Sequence, residues 1–513
     1  MTIVAALFAS KIGAGVARDL RLALFKKVES FSNEEMDRFS TASLITRSTN
    51  DITQIQQVTV MFIRMVCYAP ILGFGAVTHA IESSVSMTWV IGVVILIILG
   101  ILAVTFSIAM PKFKIIQQLI DKLNLSMREN LSGVLVIRAF GNEKESEKRF
   151  DQSNTNLTKV NLFVNRVMAS LMPIMMFIMN ALTLVIIYVG SKQIDLGKIQ
   201  IGEMMAFLQY GIMIIMAFLF IAMIGIMLPR ASVSANRIAE VLNTTPAIVE
   251  KETPVPFDDN EKGRIVFDDV TFTYPGASEP ALEHISFVAK PGQTTAFIGS
   301  TGSGKSTLIN LIPRFYDVTS GQVSVDGVNV KDSSLHELRE RIGVVPQKGV
   351  LFSGTVTSNI TYGAPNATEE DIAEAVRISQ SEEFISHLEK GMNTEIAQGG
   401  TNVSGGQRQR LAIARALAKK PEILIFDDSF SALDFKTDAK LRHELTKMSA
   451  KTKNTVLIVG QRIASIMDAD QIIVLDEGRI VGRGTHKELL QSCEVYKEIA
   501  YSQLSKEELE NER

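Results

Sequence analysis

Four long apolar stretches in the first half of the chain limit what it can fold into more than any other feature. They cover residues 58–81, 85–110, 167–190 and 204–228, and Arg64 is the only Lys, Arg, Asp or Glu that they contain. A helix needs about 20 residues to cross the hydrocarbon core of a bilayer, and each stretch is at least that long. Four such stretches in succession are not typical of helices buried in a soluble protein. The sequence therefore predicts four membrane-spanning helices.

The loops between these stretches predict which side of the membrane each one faces. Residues 18–47 and 111–166 are rich in Lys and Arg, whereas the turn at 82–84 contains neither. Because basic loops stay on the cytoplasmic side, we expect both basic regions inside and the short turns outside. Lys192 and Lys198, in the outer turn that follows the third stretch, run against this bias.

Both basic regions are predicted to be long helices that extend the spans beyond the membrane surface. Apolar residues recur at helical spacing through 115–125, and Gly and Pro are sparse. We expect each pair of helices to turn at its tip, near 39–51 in the first region and near 132–142 in the second. Residues 1–10 are apolar but too short to span, so we interpret them as the end of a membrane helix that begins upstream.

A change of composition after the fourth stretch predicts a domain boundary. Segment 244–262 contains three prolines among many acidic residues, which is typical of a linker. From residue 263 onward, short β-rich runs alternate with amphipathic helical stretches, as in a mostly parallel α/β domain. The predicted division is a partial transmembrane domain at 1–228, a linker at 229–262, an α/β domain at 263–505 and a charged tail at 506–513.

Net charge and cysteine content exclude two kinds of site. The formal net charge of −3 is unlike the basic surface that binds nucleic acid, so no nucleic-acid partner is expected. The two cysteines, Cys67 and Cys493, are far apart in the sequence, and we predict neither a disulfide nor a cysteine metal site.

A glycine-rich segment early in the α/β region predicts a binding loop for nucleotide phosphates. It has the G-x-x-x-x-G-K-S pattern between a strand-like run and a helical run. Its residues are Gly299, Ser300, Thr301, Gly302, Ser303, Gly304, Lys305 and Ser306, followed by Thr307. Backbone N–H groups at the helix start are expected to surround phosphate oxygens. Lys305 is expected to neutralise the β- and γ-phosphates, and Ser306 to ligate Mg²⁺.

An apolar run that ends in two acids predicts the metal-holding strand of the same site. Residues 423–426 read Ile-Leu-Ile-Phe, and Asp427 and Asp428 follow them. A strand that ends in carboxylates beside a phosphate loop is suited to hold Mg²⁺ through water, and we predict this role for Asp427.

The segment just before that strand, with Ser404, Gly405, Gly406 and Gln407, indicates which phosphate-loop proteins the chain resembles. A serine and two glycines at a helix start form a second anion site. With this segment in this position, the sequence resembles the ABC transporter family. The resemblance implies that residues 404–407 contact the γ-phosphate held by a second subunit. Catalysis would then require two nucleotide domains packed head to tail.

Further motifs extend the resemblance over nearly the whole chain. Tyr274, in Phe-Thr-Tyr-Pro, matches the aromatic residue that stacks on adenine, and Gln347 matches the glutamine that contacts Mg²⁺ and the attacking water. Asp434 closes a Ser-Ala-Leu-Asp segment that is similar to the loop connecting the two nucleotide sites. Residues 19–57 and 132–143 resemble the first and second intracellular loops of the exporter subclass.

The resemblance implies an α-helical transmembrane domain of the ABC exporter type fused to an α/β P-loop NTPase domain. Its expected ligands are ATP and Mg²⁺, and its expected partners are membrane lipid and a second half-transporter subunit. A half-transporter of this family has six spans, so the first span and much of the second are expected to be missing from this chain. The expected location is the plasma membrane, with the ATP-binding domain in the cytoplasm.

Two positions depart from the family pattern, and both bear on hydrolysis. Asp428 stands where the family has a glutamate that polarises the attacking water, and Gln461 stands where it has a histidine. The aspartate carboxylate is one methylene shorter, and a glutamine cannot carry a positive charge. We therefore predict that this chain binds ATP but hydrolyses it slowly, beside a different partner with Glu and His at these positions. A homodimer that stays active and a regulatory subunit without productive turnover are the alternatives.

The transported molecule is predicted only by class. The last two apolar stretches are rich in methionine, whose flexible thioether suits a cavity for varied apolar ligands but is equally ordinary in packing. The residues are Met172, Met175, Met176, Met179, Met213, Met216, Met223 and Met227. We expect a hydrophobic or amphipathic substrate, and drug, lipid and peptide export remain open. A soluble ABC-type ATPase is excluded by the four spans, and an importer is disfavoured because importers usually keep the two domains on separate chains.

Overall fold

The computed structural model describes residues 2–66 and 68–503, so the predicted tail at 506–513 and the position of Cys67 lie outside the described residues. The chain divides into two compact units. The first comprises the residues up to Glu29 together with Thr41–Thr244. The second comprises Ser30–Ser40 and the residues from Thr245 onward.

All regular secondary structure in the described residues of the first unit is helical. Its helices are α1 (Thr2–Glu29), α3 (Thr41–Thr46), α4 (Ile52–Met61), α5 (Tyr68–Ser83), α6 (Val85–Ser132), α7 (Val134–Ala139), α8 (Glu143–Asp195) and α9 (Ile201–Asn243). Two π-helical turns, Arg47–Asp51 and Phe62–Val66, flank α4. Helix α9 continues to Asn243 through the first part of the segment predicted as linker.

Four helical stretches in the described part of the chain are long and apolar enough to cross a membrane. They are Thr41–Ser83, Met87–Ser132, Glu143–Asp195 and Ile201–Ile221. The four predicted spans fall on these helices, which confirms the helical membrane domain. Three of the stretches exceed 40 residues, well beyond the roughly 20 that a bilayer requires. The helices therefore extend past the membrane surface, as the sequence predicted.

The tip of the first basic region lies earlier than predicted. The short helix α2 (Asn33–Phe39) forms this tip, and helical structure resumes at Thr41, so the predicted turn at 39–51 is wrong. A capping box starts α2, because the Glu35 carboxylate accepts a hydrogen bond from the Ser32 backbone N–H at 2.7 Å. The second region turns where the sequence predicted, with α7 between α6 and α8.

Apolar side chains fill the interior of the first unit and also cover much of its exterior. Met87, Ile98 and Ile186 are completely buried, whereas Phe177 is 75% exposed and Leu184 is 69% exposed. Exposed apolar surface of this kind is stable in hydrocarbon, where lipid tails solvate it. The methionines that the sequence predicted to suit a substrate cavity are mixed, since some are buried and others are exposed. The side chain of Met223 lies outside the described part.

A buried polar contact fixes the π-helical turn at Arg47–Asp51 against α9. The Arg47 guanidinium donates to the Glu240 carboxylate at 2.8 Å, and the Ser234 hydroxyl donates to Asp51 Oδ1 at 2.9 Å. Buried charges require such partners because desolvation disfavours them otherwise. The contact ties the start of the stretch Thr41–Ser83 to the end of α9.

The second unit is an α/β structure with twelve strands in three sheets among its described residues. Its strands are β1 (Ile265–Phe272), β2 (Leu282–Ala289), β3 (Thr294–Gly299), β4 (Ser320–Val325), β5 (Val328–Asn329), β6 (Ile342–Val345), β7 (Gly354–Thr355), β8 (Glu395–Ile396), β9 (Ile423–Asp427), β10 (Thr455–Val459), β11 (Gln471–Asp476) and β12 (Arg479–Gly484). Besides α2, its helices are α10 (Lys305–Leu311), α11 (Leu335–Glu340), α12 (Val356–Ile360), α13 (Glu369–Ile378), α14 (Glu382–Ser386), α15 (Gly405–Ala418), α16 (Phe435–Thr452), α17 (His486–Ser492) and α18 (Glu494–Gln503).

The central sheet of this unit has six strands in the order β12-β11-β3-β10-β9-β6. All are parallel except β12, which pairs antiparallel with β11. The strands β3, β9 and β10 are almost completely buried, with apolar residues on both faces, as expected for a parallel sheet between two layers. A second, antiparallel sheet has the order β2-β1-β4-β5. The carboxyl ends of the parallel strands are where open α/β sheets bind ligands.

Candidate active site

The residues predicted for the site lie at the carboxyl ends of four neighbouring parallel strands. The glycine-rich loop follows β3, Asp427 ends β9, Gln461 lies two residues after β10, and Gln347 lies two residues after β6. The register aligns these ends, because Val459 of β10 pairs with both Asp427 and Phe297. Side chains that are distant in the sequence are therefore brought to one edge of the sheet.

The glycine-rich loop has a backbone that side chains would obstruct. Gly304 has φ of 93°, and a Cβ there would lie 2.7 Å from a Leu282 methyl and 2.8 Å from the Ala281 carbonyl oxygen. At Gly299, a Cβ would lie 2.0 Å from the Leu475 carbonyl oxygen. The loop thus turns tightly between β3 and α10, and α10 begins at Lys305 with backbone N–H groups that have no intrahelical acceptor. Such N–H groups fit the oxygens of a phosphate.

Lys305 folds back over the glycine-rich loop. Its ammonium donates to the carbonyl oxygens of Gly299 at 2.9 Å and Ser300 at 2.7 Å, and to the Ser303 hydroxyl at 3.2 Å. Burial lowers the pKa of this lysine, while the nearby Asp428 and Asp427 carboxylates act in the opposite direction. The ammonium is therefore held at the loop by acceptors that a phosphate can replace.

Two of the three predicted Mg²⁺ ligands, Ser306 and Asp427, are in direct contact. The Ser306 hydroxyl donates to Asp427 Oδ1 at 2.8 Å. Burial raises the pKa of Asp427, and the neighbouring Asp428 raises it further, while Ser306 and Lys305 lower it. A hydroxyl and a carboxylate beside a phosphate loop are the oxygen ligands that Mg²⁺ prefers, so these residues fit a magnesium ion that also contacts phosphate.

The three residues predicted to act in hydrolysis meet on one carboxylate oxygen. Oδ2 of Asp428 accepts a hydrogen bond from Gln461 Nε2 at 2.7 Å and another from Gln347 Nε2 at 3.2 Å. Asp428 is 8% exposed and has φ of 45°, a left-handed conformation that aspartate tolerates. Burial raises the pKa of its carboxyl group, while its contacts with Gln347 and Ser431 lower it.

Tyr274 lies against the glycine-rich loop through its hydroxyl. Its oxygen is 2.9 Å from the Thr307 hydroxyl, and its ring is half-buried. Two further aromatic rings flank it edge-on, Phe272 at 4.8 Å and Tyr316 at 5.4 Å between centroids. The tyrosine ring is thus fixed beside the loop, where a planar base can stack on it.

Sequence reasoning missed Tyr316 and the helix that it contacts. The Tyr316 hydroxyl donates to the Asp37 carboxylate of α2 at 3.3 Å. Burial, followed by the charge of Asp37, raises the pKa of Tyr316 to about 12. Its position in Pro-Arg-Phe-Tyr-Asp, shortly after the first helix of the loop, was the available signal, but only the fold brings α2 beside it.

The remaining predicted site residues lie apart from this cluster. Ser404 caps α15 in a capping box with Gln407, and Asp434 caps α16 by accepting from the Thr437 N–H at 3.0 Å. Ser404, Gly405 and Asp434 are exposed. No hydrogen bond or ion pair joins residues 404–407 or Asp434 to 299–307 in the described part of the chain. In the single chain, each of these segments instead forms an exposed helix start, at α15 and at α16.

Two family models match the chain. The model of the ABC transporter transmembrane region matches residues 1–218, and the ABC transporter model matches residues 282–431. The second match includes the glycine-rich loop, Gln347, the 404–407 segment and both acids at the end of β9.

Curated relatives match over nearly the whole chain. An uncharacterised ABC transporter ATP-binding protein of Mycobacterium tuberculosis is 45% identical over 501 residues, which is 96% of this chain and 85% of the relative. An uncharacterised ABC transporter ATP-binding protein of Bacillus subtilis is 38% identical, over 98% of this chain and 86% of the relative. An ATP-dependent lipid A-core flippase of Pseudomonas fluorescens is 34% identical, over 94% of this chain and 80% of the relative.

A solved structure shares the fold. A bacterial Atm1-family ABC exporter with ATP bound superimposes with a TM-score of 0.82 at 23% identity, over 97% of this chain and 87% of that chain. At this identity the likeness concerns the fold alone.

Proposed function

The chain belongs to the ABC transporter family, and we propose that it is one half of an exporter that uses ATP to move hydrophobic or amphipathic molecules across the membrane. It is an integral membrane protein with a transmembrane region followed by a cytoplasmic ATPase region. The convergence of Ser306, Asp427 and Asp428 at one edge of the parallel sheet carries the proposal. The same chain also has four helices long and apolar enough to cross a membrane, which supports the transport part of the proposal.

We assign nucleotide binding to the glycine-rich loop and to Tyr274. Backbone N–H groups of residues 299–307 would surround the phosphates, and the Lys305 ammonium would exchange its loop carbonyls for phosphate oxygens. Tyr274 would stack on the base, because its ring is held beside the loop by Thr307. Ser306 and Asp427, with Gln347, would hold a magnesium ion, which neutralises charge on the phosphates when bound.

Slow hydrolysis at this site is supported by the surroundings of Asp428. Its carboxylate reaches roughly 1.5 Å less far than a glutamate would, by one C–C bond, and a misplacement of about 1 Å can cost on the order of 100-fold in rate. Two amides donate to Oδ2, so this oxygen is less available to accept a hydrogen bond from the attacking water. Gln461 can donate a hydrogen bond but cannot exchange a proton or carry a charge.

The contrast between the altered residues Asp428 and Gln461 and the unaltered segment 404–407 supports a partner subunit with a different sequence. Ser404 and Gln407 form an intact helix cap with both glycines in place, which supports a normal contribution to the site of a partner. The partner would carry Glu and His at the positions of Asp428 and Gln461. Hydrolysis at the partner's site would then reset the transporter, while ATP stays bound longer at this one.

The test introduces the family's Glu and His at positions 428 and 461 of the full-length protein. The protein is purified without a partner and reconstituted in lipid. We expect the Asp428→Glu, Gln461→His double variant to raise steady-state ATP hydrolysis by roughly 100-fold, from the reach and the charge together. The matched control makes the same exchanges at exposed positions, Asp259→Glu and Gln322→His. Binding of a labelled, non-hydrolysable ATP analogue is measured in parallel, so that an inactive preparation is recognised.

Two other results would lead to different functions. Brisk hydrolysis by the unmodified protein would overturn the asymmetric arrangement and favour a self-sufficient homodimer. ATP binding without stimulated transport, even when a complementary subunit is supplied, would favour a regulatory subunit. The lipid named for the Pseudomonas relative makes lipids the first substrates to test among drugs, lipids and peptides.

A further inference from the structure

Arg64 is the only Lys, Arg, Asp or Glu in the four apolar stretches, and it lies on the π-helical turn Phe62–Val66. An ionisable residue within an apolar membrane stretch is uncommon and is a candidate functional residue. Turns of this kind, where one residue is inserted into a helix, also occur often at functional sites. Two independent features, one of composition and one of backbone, therefore coincide at this position.

A cavity of about 380 Å³ lies beside this turn, and Arg64 is one of its walls. Its lining has a polar part and an apolar part. The polar lining consists of Arg64, Gln56 and Gln57, and the apolar lining consists of Val60, Met61, Met65 and Met227. The methionines supply flexible thioether surface, which adapts to an alkyl chain. The cavity thus offers one cation and two carboxamides next to an apolar wall.

Helix α1 fixes one side of this region. A Cβ at Gly13 would lie 2.4 Å from a Val60 methyl and 3.3 Å from the Gln56 backbone oxygen, so α1 and α4 approach closely there. The wall that carries Gln56 and Val60 is therefore packed from behind. The Arg64 side chain is exposed in the chain, and no hydrogen bond or ion pair joins it to another residue that the structure describes.

The height of Arg64 along the stretch Thr41–Ser83 decides what can reach it. It precedes Ser83, the last residue of α5, by 19 residues, which is roughly 28 Å at 1.5 Å per residue. The hydrocarbon core of a bilayer is about 30 Å thick. With Ser83 at the outer surface, Arg64 lies at the inner edge of the hydrocarbon, where lipid headgroups begin. Gln56 and Gln57 lie further toward the cytoplasm.

We propose that Arg64 and this cavity bind the anionic headgroup of an amphiphile from the inner leaflet, which makes the transported substrate of the proposed exporter an anionic amphiphile. The guanidinium supplies a bidentate, charge-assisted contact to a phosphate or carboxylate. The glutamines bind neighbouring polar groups, and the methionines contact the start of the alkyl chain. This inference rests on the proposed export function for its meaning, but binding itself requires no ATP turnover.

The same contact could come from bulk anionic lipid around the protein, because a long arginine side chain can reach the interface on its own. The two sources differ in stoichiometry and competition. A substrate site saturates with one amphiphile per site in a zwitterionic bilayer, whereas bulk contact rises with the fraction of anionic lipid and does not saturate.

The experiment uses the full-length protein in phosphatidylcholine nanodiscs, with two probes that share one acyl chain. Radiolabelled lysophosphatidylglycerol is the anionic probe, and lysophosphatidylcholine is the zwitterionic control. We expect saturable binding that prefers the anion, weakened roughly tenfold or more in Arg64→Gln and weakened less in Arg64→Lys, which keeps the charge but loses the bidentate contact. Binding of the zwitterionic probe should not change in either variant. Arg128→Gln, which makes the same exchange at an exposed arginine of α6 outside the cavity lining, is the matched control.

Three outcomes would overturn the proposal. These are equal binding of both probes by the unmodified protein, undiminished anion binding by Arg64→Gln, and anion binding that never saturates. Binding of a labelled ATP analogue is recorded on each preparation, so that a misfolded variant is identified. If Arg64→Gln is misfolded, Arg64→Lys is compared with the unmodified protein instead. Because the readout does not involve hydrolysis, failure here is distinct from failure of the asymmetric exporter.

Discussion

The phosphate-loop end and the hydrolysis end of the nucleotide site lie on the same sheet but are built on different principles. At the first end, Lys305 and Ser306 rest on acceptors that phosphate and metal can replace. At the second end, Asp428 is held by two amides that have no charge to offer. The contrast predicts that binding and turnover depend on separate side chains, so that one can be weakened while the other stays intact.

The largest effect on this contrast is expected from removing the charge of the phosphate loop. Lys305→Ala should weaken ATP binding by roughly 100-fold, because the phosphates lose a partly buried ammonium. Equilibrium binding of labelled ATP under non-hydrolysing conditions measures this loss. Lys290→Ala, an exposed lysine before β3, is the matched control. If Gln461→Ala weakened binding equally, the separation of the two ends would be refuted.

A smaller effect is expected at the base-binding side of the phosphate-loop end. Tyr274→Ala should weaken ATP binding by about tenfold, since stacking of a base on an aromatic ring contributes about 1–3 kcal/mol. Tyr274→Phe keeps the ring and loses only the contact with the Thr307 hydroxyl, so its affinity should stay within about twofold. Equal losses in the two variants would mean that the hydroxyl contact, and not stacking, is what matters.

The smallest effect is expected on the pH dependence of the stability of the ATPase unit. Measuring it separates a pH response of the fold from a pH response of the nucleotide site. Burial, followed by Glu422, raises the pKa of Asp326 to about 7, although the Gly263 N–H and Arg341 oppose the shift. A carboxyl whose pKa is higher in the folded state adds stability below its unfolded pKa of about 3.9. That stability is lost as the pH rises through about 7.

The ATPase unit should therefore become less stable between pH 5 and pH 8. Asp326→Asn should flatten this trend, with a change of a few degrees in the difference between melting temperatures at the two pH values. Thermal unfolding of the full-length protein in lipid, followed at both pH values, measures it. An unchanged trend in the variant would show that another group titrates, and a pH response of hydrolysis could then be traced to the active site.

Most of the ATPase unit could be predicted because its motifs have fixed places in a parallel sheet. The glycine-rich loop, Asp427 and Gln347 follow strands, and parallel strands bring their carboxyl ends together. What the sequence did not predict depends on contacts between distant segments. The pairing of Gln461 with Asp428, and of Tyr316 with Asp37, requires the three-dimensional arrangement of loops that have no periodic pattern.

The membrane unit shows the same limit in another form. Apolar length predicted the four spanning helices, because hydrocarbon requires it. The tip at α2 was placed too late, since its start depends on one capping box at Ser32 and Glu35 and not on the apolar period. The π-helical turns were not predicted at all, because one inserted residue leaves the composition of a helix unchanged.

The membership of α2 in the ATPase unit has a consequence for anyone who divides or recombines this protein. Glu35 accepts from the Ala247 N–H at 2.8 Å, and Tyr316 reaches Asp37, so α2 is part of the fold that begins again at Thr245. A fragment cut at residue 244 would lack this helix and leave its docking surface bare. A chimaera that exchanges ATPase modules would have to import residues 30–40 as well, since the natural boundary of the module crosses the chain three times.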